Sequence, residues 1–189
     1  MTRIIAGFAG SIKLTVPGSG TRPTSDRVRE AIFSALDSRD AISGMRVLDL
    51  YSGSGALGLE AASRGAARVT LVDHFAAASR ENAARVLKQA PAGSRPTIVT
   101  TGHNVQQFLE GAREFWDLVF LDPPYELAAA ELESALTALL PRLSPGAVVI
   151  VERSSRTEAP TWPVGLQLDR RKDYGDTALY WLTASAIPA

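Results

Sequence analysis

From residue 45 onward, short unbroken apolar runs alternate with stretches in which apolar residues recur every three or four positions. The run MRVLDL (45–50) reads as a buried strand, and RVTLVD (68–73), PTIVT (96–100), WDLVFLD (116–122) and AVVIVE (147–152) read as strands. The stretches ALGLEAASR (56–64, ended by Gly65), AAASRENAARVLKQA (76–90), NVQQFLEGA (104–112) and ELAAAELESALTALLPRL (126–143) read as helices. Strands of continuous Val, Ile and Leu are apolar on both faces and need cover on both. The pattern therefore predicts a parallel sheet with helices on each side. The tail differs: GLQLDRRK (165–172) and TALYWLT (177–183) flank the turn signal DYGD and predict an antiparallel hairpin at the sheet edge.

Ahead of this region, RIIAGFAGSIKLTVP (3–17) reads as a small hairpin with Gly10 in its turn, followed by the loop GSGTRP. Thr24 or Ser25 can cap a helix through DRVREAIFSAL, in which Val28, Ile32, Ala35 and Leu36 share one face. The expected organisation is an N-terminal hairpin and helix over residues 1–40 and an α/β domain of about seven strands over residues 41–189.

Composition narrows the class. Of 189 residues, 46% are hydrophobic and 21% charged, as in ordinary globular domains. No apolar run reaches the length that spans a bilayer, and the N-terminus lacks the apolar core of a secretory signal. A cytoplasmic monomer is expected. The chain has no cysteine, which excludes disulfides and thiolate chemistry. Its two histidines, His74 and His103, are far apart, so no metal is assigned. The formal net charge is zero, yet Arg3, Lys13, Arg22, Arg27 and Arg29 outnumber Asp26 and Glu30 in the first thirty residues. Only Lys13, Lys88 and Lys172 are lysines; genomic base composition explains the arginine bias, although arginine also suits phosphate contacts.

Two motifs carry chemistry. The first, GSGALG (53–58), fits G-x-G-x-x-G between a strand and a helix, with Asp73 placed 20 residues after Gly53. The spacing fits a dinucleotide or S-adenosylmethionine. Asp49, ending the first strand, discriminates between them. A carboxylate there repels a pyrophosphate but attracts the amino group and sulfonium of S-adenosylmethionine. It can also bond the backbone N–H groups of the loop. Asp73 can bind a ribose diol in either cofactor. Asn104 can meet an adenine N6 amine, with the Val105 N–H on a ring nitrogen, or simply cap the next helix.

The second motif is Asp122-Pro123-Pro124-Tyr125, at the exit of the fourth strand. Two prolines hold the backbone extended and remove two N–H donors. A carboxylate, free carbonyls and an aromatic ring remain, a set that suits a planar amino group. Asp122 and the Pro123 carbonyl can accept its hydrogens while Tyr125 stacks on the attached ring.

Together, TRPTSDRVREAIF (21–33), DLYSGSGALGLEAASRGA (49–66) and DPPY (122–125) resemble the bacterial RsmD family, which methylates a guanine N2 in 16S (small-subunit) ribosomal RNA. The resemblance spans nearly the whole chain. It implies a class I methyltransferase (Rossmann-like) fold with S-adenosylmethionine as cofactor. It places Asp49, Tyr51, Gly53, Gly55, Asp73, His74, Asn104 and Val105 at the cofactor, with Arg22 and Thr24 at its methionine end or covering the site. Tyr51 stands where related sequences often carry phenylalanine or cysteine. Asp122, Pro123 and Tyr125 would hold the base. Arg3, Lys13, Arg27 and Arg29 become candidate contacts to the RNA, either naked or within a small-subunit assembly intermediate. An adenine-N6 methyltransferase acting on DNA or RNA would use the same D-P-P-Y chemistry. A pyrimidine-C5 enzyme is disfavoured by the missing cysteine.

Overall fold

A computed structural model of the chain describes residues 2–16 and 25–185. Its order is α1 (Asp26–Asp37), β1 (Arg46–Leu50), α2 (Ala56–Ser63), β2 (Arg68–Val72), α3 (Ala77–Leu87), β3 (Thr97–Thr101), α4 (Val105–Gly111), β4 (Trp116–Leu121), α5 (Ala129–Leu139), β5 (Leu143–Ser154), β6 (Leu166–Tyr174) and β7 (Thr177–Ala184). The seven strands form one sheet in the order β3-β2-β1-β4-β5-β7-β6. The first five are parallel, and β7 pairs antiparallel with both β5 and β6. The tail hairpin thus inserts its second strand next to β5 and leaves β6 at the edge.

Alternate residues of β1, β2, β4 and β5 feed two separate cores. Val47, Val69, Leu71, Leu118, Phe120 and Ile150 pack beneath α1, α2 and α3. Leu48, Leu50, Val72, Val119, Leu121, Val149 and Val151 pack beneath α4 and α5. This is why the strand sequences are apolar without alternation. Ile4, Ala9, Leu14, Val28, Ile32, Phe33 and Leu36, from the N-terminal part, belong to the first of these cores.

Two expected elements take a different form. The N-terminal hairpin reduces to a single antiparallel bridge, Arg3 with Lys13. Gly7 and Ser11, not Gly10, adopt positive φ there, at 79° and 73°. Ile4 and Leu14 N–H donate across the segment to the Ile12 and Thr2 carbonyls, each at 2.9 Å, while the donors of Ile5, Ala6 and Ala9 between them turn to α2. Glu60, fully buried, accepts from the Ile5 and Ala6 N–H groups at 2.6 and 3.0 Å, and Ser63 Oγ accepts from Ala9 N–H at 2.9 Å. A side chain at position 7 would place its Cβ 1.9 Å from the Ser63 carbonyl oxygen, so only glycine permits this docking. The second difference is α5, which starts at Ala129 and not at residue 126, because the segment after the two prolines stays non-helical. Pro141 lies in a 3₁₀ turn (Leu140–Arg142) that ends this helix.

No helix among the described residues is long and apolar enough to cross a membrane.

Candidate active site

The carboxyl ends of parallel strands in an open α/β sheet form a crevice, and here they bring three acids together. Asp49 is the fourth residue of β1, Asp73 follows β2 and Asp122 follows β4. The charges of Asp122 and Asp73 both act on Asp49. Asp49 is 1% exposed, and burial, reinforced by those two acids, pushes its carboxyl up to about 8 even though Gly58 N–H donates to Oδ2 at 2.8 Å. It both anchors the first turn of α2 and stores a desolvated acid at the crevice.

The glycine loop is built around these acids. Asp73 accepts from Gly53 N–H through Oδ2 and from Phe75 N–H through Oδ1, each at 2.8 Å. One carboxylate thereby ties the β1–α2 loop to the β2–α3 loop. Gly53 has φ 52° and nothing within 4 Å of a hypothetical Cβ, so its face is open to a ligand. Gly55 precedes α2 at φ 79°. Gly58 serves packing instead. An added Cβ there would lie 2.4 Å from Leu71 Cδ2 and 2.9 Å from Val69 Cγ1, so its absence lets α2 close onto β2. In the same loop Ser52 Oγ is buried without a hydrogen-bond partner, and Tyr51 adopts φ 60°. That left-handed turn carries the Tyr51 ring away from the face of Asp49 to pack with the α4–α5 core.

On the other side of the crevice, Asp122 is half-buried, Pro123 is buried, and Tyr125 is 46% exposed. The tyrosine is therefore presented to solvent and not spent on the core. Arg153, near the end of β5, lies on the α4–α5 face and is 7% exposed. Its Nη2 donates to the Leu127 carbonyl at 2.9 Å, and Nη1 approaches the Pro124 carbonyl at 3.5 Å. It supports the D-P-P-Y turn from below, on the Leu127 carbonyl and on a Pro124 carbonyl that also accepts from Leu127 N–H at 3.0 Å.

Other expected site residues are placed as follows. Asn104 caps α4, its Oδ1 accepting from Gln106 N–H at 2.9 Å, while remaining exposed. The oxygen assigned to adenine thus already serves the helix. His74 is exposed, its ring edge-on to Phe75 at 4.7 Å between centroids. Arg3, Lys13 and Arg27 are exposed. Arg29 is not a surface contact: it is 0% exposed, with Nη2 2.6 Å from Asp26 Oδ1. Its position next to Val28 rotates it under α1, a distinction that charge counting does not make. Arg22 and Thr24 lie outside the described residues.

Two residues at this crevice escape motif reading. Phe75, 74% exposed beside Asp73, offers an aromatic surface where a cofactor base would lie. The available signal is a large apolar residue two positions beyond a strand-ending acid. For Arg153 the signal is a charged pair, Glu152-Arg153, directly after the unbroken apolar run AVVIV (147–151).

Comparison with known proteins agrees with this geometry. A family model described as Conserved hypothetical protein 95 matches residues 2–183. Ribosomal RNA small subunit methyltransferase D of Escherichia coli K12 is 37% identical over 177 residues, covering 93% of this chain and 86% of that protein. The chain belongs to the RsmD-type methyltransferase family. Its counterpart in Haemophilus influenzae, of the same name, is 34% identical over 160 residues, 79% of this chain and 77% of that protein. The solved structure of yhhF from Escherichia coli superposes with a TM-score of 0.80 at 36% identity, covering 98% of each chain.

Proposed function

We propose that this protein transfers a methyl group from S-adenosylmethionine to the exocyclic N2 of a guanine in small-subunit ribosomal RNA, acting as a monomer in the cytoplasm. The observation that carries the reading is the convergence of buried Asp49 and the rigid Asp122-Pro123-Pro124-Tyr125 turn on one crevice. The relatives named for ribosomal RNA methylation support the substrate class.

The crevice suits the cofactor. Asp49, buried and raised to about 8, gains a counter-ion when a sulfonium or ammonium group draws out its carboxylate form, whereas a pyrophosphate has no use for that charge. Ser52 Oγ offers a buried hydroxyl in need of a partner. Asp49 and the glycine loop would hold the methionine part, Asp73 the ribose, and Phe75 with the α4 N-terminus the base. When bound there, S-adenosylmethionine supplies an electrophilic methyl group.

The remaining chemistry belongs to the chain. A guanine N2 lone pair is delocalised into the ring and attacks poorly. Asp122 and the Pro123 carbonyl accept its two hydrogens, which favours a pyramidal nitrogen and stabilises the positive charge that develops there. Tyr125 stacks on the ring, and Arg153 keeps the turn from yielding. No dedicated base is needed, since the proton can leave after transfer. Exposed Arg3, Lys13 and Arg27 would contact RNA phosphates. With zero net charge the basic surface is modest, which favours a ribonucleoprotein assembly intermediate over naked RNA.

The test is labelled methyl transfer to small-subunit RNA from a strain lacking the gene, followed by nucleoside analysis. N2-methylguanosine is expected. N6-methyladenosine would move the assignment to an adenine enzyme using the same turn. Asp122→Ala should abolish turnover and leave cofactor affinity largely intact; near-normal turnover in that variant would refute the assignment of the turn.

A further inference from the structure

We propose that Glu152 reads the substrate base, accepting the N1–H that guanine carries and adenine lacks. The inference rests on the guanine-N2 reading above and deepens it.

The placement follows from strand register. Phe120 pairs with Ile150 and Leu121 with Val151, so the next residues, Asp122 and Glu152, stand side by side at the carboxyl ends of β4 and β5. Neighbouring strands lie about 4.8 Å apart. Val148 and Ile150 pack with the same core as Leu118 and Phe120, while Val149 and Val151 pack with the opposite one. Strand alternation therefore puts Glu152 on the face of Asp122 and Asp49, and Arg153 on the other. On the far side β7 gives Glu152 the apolar neighbour Leu179. Glu152 is 7% exposed, a carboxylate that closes an otherwise apolar strand face.

Two adjacent carboxylates match one edge of guanine. N1–H and the N2 amino group are neighbouring donors on that edge, and both ask for acceptors. Adenine presents a lone pair at N1 beside its amino group. A carboxylate facing that lone pair is repelled by it and gains no hydrogen from the base. Asp122 and the Pro123 carbonyl grip the amino group of either base; Glu152 is the element that tells the two bases apart. It touches the base without taking part in methyl transfer.

The experiment compares the wild type, Glu152→Ala and Glu152→Gln. The methylated position is first mapped with the wild type. Small subunits are then reconstituted with RNA carrying guanosine or 2-aminopurine riboside there. The latter keeps the 2-amino group and lacks N1–H. The wild type should prefer guanosine in kcat/KM by on the order of 10- to 100-fold, the worth of one hydrogen bond to a charged group. Glu152→Ala should lose most of its rate on guanosine and narrow the preference to within about threefold. Glu152→Gln, whose amide oxygen can still accept, should fall between. Cofactor affinity by calorimetry should stay within about twofold in both variants, because Glu152 belongs to the base and not to the cofactor. Equal losses on both substrates with the preference intact would assign Glu152 a purely structural role and overturn the proposal. Should Glu152→Ala fail to bind cofactor, the preference measured for Glu152→Gln decides: an unchanged preference refutes the proposal and a narrowed one supports it. A wild-type product of N6-methyladenosine would overturn the guanine reading itself, and this proposal with it.

Discussion

Asp49 makes cofactor binding depend on pH in a range where an ordinary surface acid, already ionised, would leave it flat. Its ordinary value is 3.8, and burial raises it to about 8 in the protein without cofactor. At pH 7 only about a tenth of the molecules hold the carboxylate, and at pH 6 about a hundredth. A bound cation requires the carboxylate form. Binding therefore releases a proton, and the Kd for S-adenosylmethionine should fall about tenfold per pH unit from pH 5 to about 8, then level off. The stability of the free protein moves the other way. A group whose folded value lies above its unfolded one stabilises fully below the unfolded value and loses that contribution as pH rises through the folded one. Between pH 5 and 8, Asp49 should therefore cost the free protein about 1.4 kcal/mol per pH unit relative to Asp49→Asn. The assay is calorimetric titration with cofactor at pH 6, 7 and 8, in two buffers of different ionisation enthalpy. Uptake by the buffer of about 0.9 proton at pH 7 is expected in the wild type, and none in Asp49→Asn. A wild-type Kd flat across this range, or an equal slope in Asp49→Asn, would refute the coupling.

Other consequences follow from single contacts. Arg153→Met removes the 2.9 Å bond to the Leu127 carbonyl and should lower kcat by about 10- to 100-fold, with cofactor affinity unchanged by calorimetry; a parallel loss of cofactor binding would contradict a role confined to the D-P-P-Y turn. Gly58→Ala drives a methyl group to 2.4 Å from Leu71 Cδ2 and should cost about 1–3 kcal/mol in urea unfolding, a result that neutrality would overturn. Asn82, fully buried, donates to the Thr15 and Ser54 carbonyls and accepts from Thr15 N–H, so it ties the N-terminal segment to the glycine loop. Asn82→Ala should lose about 2–3 kcal/mol and speed proteolysis ahead of α1; unchanged cleavage there would show that the segment is held by other contacts.

The parts of the site that are legible in the sequence are those where local backbone needs and ligand chemistry coincide. Gly53, Gly55 and Asp73 are readable because a tight strand-to-helix turn needs glycine and an acid to hold it. Asp122 through Tyr125 are readable because two prolines dictate an extended exit. Asn104 is ambiguous in sequence, and the cap is the role that the fold gives it. Arg29 and Arg27 stand two apart with the same charge, yet one is buried and the other exposed. That difference depends on which side of α1 meets the sheet. The expected N-terminal hairpin stays short because the donors of Ile5, Ala6 and Ala9 find Glu60 and Ser63, more than fifty residues away in sequence.

By itself, the sequence determined the parallel α/β class, the order of strands and helices, and both motifs, since these follow from apolar periodicity and local backbone restriction. Only the tertiary structure decided how the acids convene. Strand order places β1 between β2 and β4, which sets Asp49 between Asp73 and Asp122, and burial there moves its proton to about 8. It also decided which face Glu152 and Arg153 each take: alternation within one strand sends neighbours to opposite faces, and only packing against the two helix layers says that Glu152 joins the face of Asp49.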